Sequence, residues 1–255
     1  GITIYPGHTI VSTAGYLRVK SVKIMQLSED GTKLIGSMKE VRCDSVGMSG
    51  GWNPTVHLFS QSGGKLKWDE ELAQFLPKTA TQNLVSIGGC DGTQGLRNCL
   101  KAGLKAGAES ANATNNKGRA PRLPKIIEPK YNDQRTVWLI PPERANKNTG
   151  KYFVDFQNDV TASDIGLAAR EGYKSVEHLK RYTTMGMGTD QGKTSNVAAL
   201  AILGETLGTA APNIGHTTFR PPYTPATIGA YAGRNLGALF DPVRTTVMHA
   251  CHKEL

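Results

Sequence analysis

Between Thr161 and Gly208 the chain spells out three short helices in succession, each with its own start or stop signal, which confines this stretch to a small helical module. Thr161 is followed three residues later by Asp164, a capping-box pattern that predicts a helix over residues 163–170, and Gly172 closes it. A second helix is expected over residues 175–183. A third is expected over residues 194–207, ending at Gly208.

The residues ahead of this module follow a different period. Over Val19–Leu27 apolar and polar side chains roughly alternate, Asp30-Gly31 supplies a turn, and a second run continues toward Val41, so antiparallel strands in a hairpin or small meander are expected. The opening Gly1-Ile2-Thr3-Ile4-Tyr5-Pro6-Gly7 reads as a strand in progress, and the closing residues 248–255 stop without a domain-closing signal, so the chain is expected to be an internal piece of something longer. Asp44-Ser45-Val46-Gly47-Met48-Ser49-Gly50-Gly51 reads as a short strand covered on both faces, followed by a Trp52-Asn53-Pro54 turn and a short helical candidate at Leu58-Phe59. A similar strand, Leu84-Val85-Ser86-Ile87, runs into Gly88-Gly89-Cys90-Asp91-Gly92-Thr93-Gln94-Gly95, and a helix opens near Gln94 with Leu96, Leu100 and Leu104 on one stripe. Strand, glycine turn and helix is the arrangement that cradles phosphates or a ribose. Such turns are also glycine-rich for geometric reasons alone, so both readings stand.

With 255 residues, 29 Gly and 13 Pro, the chain has room for one large or two modest loop-rich domains. Its formal charge of +9 favours an anionic partner, which could be nucleic acid, a phosphate-bearing cofactor or an acidic neighbouring subunit. Cys43, Cys90, Cys99 and Cys251 lie far apart with no C-x-x-C spacing, so they read as reduced thiols of a cytoplasmic protein rather than a zinc site or a disulfide framework. No apolar run approaches the roughly 20 residues that a membrane span needs. From residue 112 to 150 the chain turns polar and basic, with Lys117, Arg119, Arg122, Lys125 and Lys130 among prolines, then Pro141-Pro142 and Asn146-Lys147-Asn148-Thr149-Gly150, and reads as an interdomain linker. The tail holds Phe219-Arg220-Pro221-Pro222-Tyr223-Thr224-Pro225, whose prolines fix an extended strap, and a small-residue stretch over residues 228–237.

Acid–base or nucleophilic chemistry finds little support, because His57, His178, His216, His249 and His252 are scattered and no Gly-x-Ser-x-Gly or His-Glu-x-x-His occurs. The helix pair from Thr161 to Tyr182, with Gly172 in its turn and Lys174, Lys180 and Arg181 available for phosphates, keeps a basic helix-turn-helix reading open. Most unusual is Gly186-Met187-Gly188-Thr189-Asp190-Gln191-Gly192-Lys193-Thr194-Ser195-Asn196, where glycines, a lysine and two hydroxyls precede a helix and suit an anion. It is not a Walker A loop, and a capped helix after a tight turn explains the same spacing.

Taken together and in order, Ser49-Gly50-Gly51-Trp52-Asn53-Pro54, His57-Leu58-Phe59-Ser60-Gln61, Val154-Asp155-Phe156-Gln157-Asn158-Asp159-Val160-Thr161, Ser175-Val176-Glu177-His178-Leu179-Lys180-Arg181-Tyr182-Thr183-Thr184, Asp190-Gln191-Gly192-Lys193-Thr194-Ser195-Asn196, Phe219-Arg220-Pro221-Pro222-Tyr223-Thr224-Pro225 and Phe240-Asp241-Pro242-Val243-Arg244 resemble the alpha subunit of heterotetrameric sarcosine oxidase. The resemblance implies an α/β fold in which residues 1–116 form the C-terminal part of a two-dinucleotide-binding flavoprotein-type domain of the pyridine nucleotide-disulfide oxidoreductase kind. It further implies a linker over 117–150, a bacterioferritin-associated-ferredoxin-like helical domain over 151–208, and an extended connector over 209–255. The first nucleotide fingerprint would precede Gly1, and an aminomethyltransferase-like domain would follow Leu255.

By the same resemblance, Gly88, Gly89, Cys90, Asp91, Gly92, Thr93, Gln94 and Gly95 form the second nucleotide contact, for a bound NAD. Arg181, Thr183, Lys193, Thr194 and Ser195 are the alpha-side contacts for the phosphate of an FMN held between alpha and beta subunits. Related dehydrogenases hold an iron–sulfur cluster in the helical module, but Asp155, Gln157, Asp190 and Ser195 stand at the four ligand positions, and a cluster needs thiolates, so none is expected here. The whole enzyme, with beta, gamma and delta subunits, would oxidise sarcosine to glycine, reduce oxygen to hydrogen peroxide and pass one carbon to tetrahydrofolate, with no nucleic acid and no membrane involved and no catalytic residue in this chain. The alternatives are the alpha subunit of an amine or proline dehydrogenase, a basic DNA-binding protein, and a non-catalytic assembly module.

Overall fold

The computed structural model describes residues 1–129, 135–142, 150–234 and 243–255. Lys130, the Asn146-Lys147-Asn148-Thr149 run, the end of the small-residue stretch from residue 235 on, and Phe240-Asp241-Pro242 lie outside the described residues.

Three antiparallel strands, β1 (His8–Gly15), β2 (Val19–Leu27) and β3 (Leu34–Arg42), form a meander in that order. The central strand buries Val22, Ile24 and Met25, and the register sets Ile10 opposite Ile24 and Val22 opposite Val41. In the β2–β3 turn the Asp30 carboxylate accepts from the Ser28 hydroxyl and from both the N–H and hydroxyl of Thr32. These bonds favour the ionised form and hold its pKa at about 2. Arg135 staples the downstream chain to the same turn, its Nη1 donating to the carbonyls of Ser28 at 2.9 Å and Glu29 at 2.7 Å.

Sequence and structure part over three expected strands. Residues 1–7 are not a strand, and the first ladder begins at His8. Residues 44–51 and 84–87 form no ladder, and Met48, Trp52 and Val85 are largely exposed. A strand is stable only when its N–H and C=O groups have a neighbour to pair with, and among the described residues neither segment has one.

A short helix α1 (His57–Gln61) leads into the hairpin β4 (Lys65–Asp69) and β5 (Gln74–Thr79), where Trp68 meets Phe75 edge-on at 4.9 Å. A 3-10 turn over Gly88–Asp91 precedes α2 (Leu96–Ala113). Gly92 closes that turn at φ +75°, where an added Cβ would press on the Leu72 and Leu76 side chains, so a side chain there would be strained and crowded. No residue of α2 is buried.

The helical module opens with a short pairing of β6 (Phe153–Asp155) and β7 (Val160–Thr161), then α3 (Ala162–Arg170), α4 (Val176–Thr183) and α5 (Asn196–Leu207). Thr161 and Asp164 form the expected capping box, and the Ser175 hydroxyl accepts from the His178 N–H. The third helix starts two residues later than its sequence pattern suggested, because Thr194 is drawn into the preceding turn by Asp190. Ile165, Leu179, Met185, Leu200 and Leu203 are fully buried at the module's centre. Each such side chain stabilises the fold by roughly 1.5–3 kcal/mol. Leu66, Trp68, Phe75 and Trp138 pack onto the same cluster, so the β4–β5 hairpin and the end of the linker share the module's core. Short helices α6 (Ala211–Ile214), α7 (Ile228–Ala232) and α8 (His249–Glu254) follow.

Leu179→Ala should therefore lower stability by about 2–5 kcal/mol, through lost burial and the cavity left behind. Leu100→Lys on the exposed face of α2 should change it by less than about 0.5 kcal/mol. Urea unfolding followed by far-UV circular dichroism measures both.

Candidate functional site

The loop between α4 and α5 is held in place by one buried carboxylate. Asp155, 1% exposed at the end of β6, accepts from the N–H groups of Gln157 at 2.9 Å and Asn158 at 3.1 Å through Oδ1, and from the Gly186 N–H at 2.6 Å through Oδ2. Gln157 continues the seam, its Oε1 accepting from the Thr189 hydroxyl at 2.9 Å, while Gly188 lies too close to Gln157 to carry a side chain. Asp190 accepts from the Gly192 N–H at 3.0 Å and the Thr194 hydroxyl at 2.8 Å. Burial pushes the Asp190 pKa up, but these bonds and the Lys193 charge outweigh it and leave the group below the ordinary range. Ser195 is fully buried, and its hydroxyl has no partner among the described residues.

Asp155, Gln157, Asp190 and Ser195 therefore present oxygen and amide groups, and both oxygens of Asp155 are taken up by backbone N–H groups. This donor set does not fit an iron–sulfur cluster.

Asn196, the first residue of α5, had drawn no separate attention in the sequence. It is 5% exposed, its Nδ2 donates to the Thr217 hydroxyl at 3.1 Å, and its Oδ1 has no partner among the described residues. Gly186 and Gly192, at φ +67° and +74°, press against that amide, and a Cβ on either would collide with it. Only the glycine pattern of the loop hinted at so close an approach.

Lys193 lies at the mouth of a cavity of about 50 Å³ walled by Pro54, Val56, Phe75, Leu200, Phe219 and Tyr223, with Asn196 and Thr217 as polar lining. Its Nζ donates to the Tyr223 carbonyl at 3.0 Å and lies 4.2 Å above the Tyr223 ring, while its own carbonyl accepts from Asn53. His57 stacks on the same ring at 4.2 Å. Burial, and then the Lys193 charge, push the His57 pKa below its ordinary value. Burial likewise raises that of Tyr223, with the Asp190 charge adding to it.

Of the residues singled out for a flavin phosphate, the structure places Lys193, Thr194 and Ser195 together at the start of α5. Arg181 and Thr183 stand on the last turn of α4. Arg181 pairs with Glu177 at 2.8 Å, and Thr183 donates to the Leu179 carbonyl at 2.7 Å. Of the residues singled out for a nucleotide, Gly88, Gly89, Cys90 and Asp91 form the 3-10 turn, Gly92, Thr93 and Gln94 connect it onward, and Gly95 is the N-cap of α2. Glu128 brings a carboxylate to this helix start, accepting from the Arg97 N–H at 2.7 Å, and Gly95 at φ +84° leaves room for it. The backbone geometry thus suits an anion there.

The family described as sarcosine oxidase A3 domain matches residues 149–234, which hold the whole Asp155–Asn196 seam. Sarcosine oxidase subunit alpha of Corynebacterium sp. (strain P-1) is 38% identical over 99% of this chain and 26% of its own length. The subunit of that name from Rhizobium meliloti (strain 1021) is 41% identical over 84% of this chain and 21% of its own length. The chain thus spans about a quarter of the length of these relatives. Among solved structures, L-proline dehydrogenase from P. horikoshii shares the mixed α/β fold with a TM-score of 0.57 at 16% identity, over 88% of this chain and 44% of that one.

Asp155→Ala should cost about 3 kcal/mol or more, because it removes a buried charged acceptor from three N–H groups. The cost would be read from the urea midpoint. His57 is protonated more readily unfolded than folded, so stability should fall as pH drops from its ordinary pKa of 6.5 through the lowered folded value. Thermal melts between pH 7.5 and 5 should show this slope, and His57→Phe should reduce it.

Proposed function

Because the chain belongs to the sarcosine oxidase alpha-subunit family, of whose members it spans about a quarter, we propose that it acts as a structural and cofactor-holding segment of an oxidoreductase that demethylates sarcosine. The segment serves the reaction without supplying its catalytic groups. In this reading the assembled enzyme is a heterotetramer with beta, gamma and delta subunits. It yields glycine and hydrogen peroxide and passes one carbon to tetrahydrofolate.

The observation that carries the reading is the start of α5, where the A3-type module holds Lys193, Thr194 and the buried, unpartnered Ser195 hydroxyl on a loop fixed by Asp155. A buried hydroxyl without a partner and an ammonium on a flexible stem are groups that a phosphate could satisfy, so the residues present fit an FMN phosphate. FMN, when bound, supplies electron transfer between the site of amine oxidation and oxygen. This chain's part is to bind and orient, with Lys193 as the cation, Thr194 and Ser195 as hydroxyl donors, and Arg181 and Thr183 as further contacts if the end of α4 turns toward the ligand. The glycine turn from Gly88 to Gly95 takes an NAD, with its phosphate at the start of α2 in place of the Glu128 carboxylate.

The fold shared with L-proline dehydrogenase supports a second reading, the alpha subunit of a related amine or proline dehydrogenase. Assay of the assembled complex with sarcosine and proline separates the two.

Lys193→Ala in the assembled complex should weaken FMN retention by roughly 10–100-fold, as expected for loss of one charge-assisted hydrogen bond. Flavin absorbance of the protein fraction after gel filtration measures the occupancy, and unchanged occupancy removes Lys193 from the site.

A further inference from the structure

Lys193 is already engaged within the chain. Its ammonium holds the Tyr223 carbonyl at 3.0 Å and the face of the Tyr223 ring at 4.2 Å. That ring is itself stacked by His57 and met edge-on by Phe219 at 4.8 Å. The strap residues His216, Thr217, Phe219 and Tyr223 form one wall of the cavity at the start of α5, where Asn196 donates to the Thr217 hydroxyl at 3.1 Å.

We propose that residues 216–223 are a lid over this cavity, held shut by Lys193, and that a phosphate arriving at the start of α5 opens it by drawing the ammonium away from the Tyr223 carbonyl. The proposal rests on the reading of that helix start as a flavin-phosphate site. Three features favour it. A phosphate is a stronger acceptor for an ammonium than a neutral carbonyl is, because both partners are then charged. The lysine stem has four rotatable carbons, so Nζ can change partner without moving α5. The closed lid is tied to the start of α5 by the Lys193–Tyr223 bond and by the Asn196 Nδ2 bond to the Thr217 hydroxyl at 3.1 Å, so loss of the first leaves a neutral bond in its place. His57 contributes to closure as a ring and not as a charge: burial and the neighbouring Lys193 both favour its neutral form, and Asp190, which also acts on Tyr223, lies on the same loop as Lys193.

The test is amide hydrogen exchange read by mass spectrometry on the full chain within the assembled, flavin-depleted complex. Peptides covering residues 216–224 report the lid, and those covering residues 199–203 serve as the folding control. Saturating FMN, or inorganic phosphate as the same group without the ring, should speed exchange in the lid about tenfold and leave α5 unchanged. Lys193→Met should show the faster lid exchange without ligand, and Lys193→Arg should restore protection. If the lid of Lys193→Met exchanges like the wild type, Lys193 does not hold it and the proposal is wrong, whatever binds. If FMN or phosphate binds by calorimetry while lid exchange stays slow, binding is real but the coupling is not. Failure of both to bind at millimolar concentration overturns the phosphate-site reading and the trigger together, and Lys193→Met still reports separately whether the lid was latched.

Discussion

A single buried carboxylate organises the helical module. Asp155 gathers three backbone N–H groups from two loops that are distant in sequence, and a carboxylate without water depends on such donors to remain buried. Once the loop after α4 is tied down at Gly186, the rest follows in order. Gln157 meets Thr189, Asp190 closes the turn around Gly192 and Thr194, and Asn196 enters α5 with its amide wedged between two glycines. The apolar core beneath supplies most of the stabilisation and, through the fully buried Met185, also anchors the beginning of this loop. The hydrogen bonds choose the path.

That division explains what the sequence disclosed. Helix positions in the module were legible because their signals are local: the Thr161–Asp164 box, the Ser175 cap and Gly208 lie within a few residues of the ends they mark. The meander was legible because β2 alternates and Asp30-Gly31 turns it. Residues 44–51 and 84–87 misled because an apolar run states only a preference, while a strand also needs a partner, and no local pattern says whether one is present. At the candidate site the Lys193-Thr194-Ser195 run could be read directly. The Lys193 bond to Tyr223, the stacking of His57 and the Asn196 bond to Thr217 could not, since each joins residues far apart in the chain.

Asp155 and Gln157 on one side, and the loop carrying Asp190 on the other, are joined by hydrogen bonds between protein groups. A bond network of this kind has no redox state and releases nothing on oxidation. It fixes the loop that leads into α5.

The exposure of α2 has its own consequence. Eighteen residues span about 27 Å as a helix. No residue of α2 is fully buried, and with Ala102, Leu104, Ala106 and Ala108 only half-buried the helix draws less on packing and more on intrinsic propensity and the Glu128 contact at its start. The molecule is therefore uneven in cooperativity: α3, α4 and α5 share one buried core, whereas the more lightly packed α2 has the lower free energy of local opening.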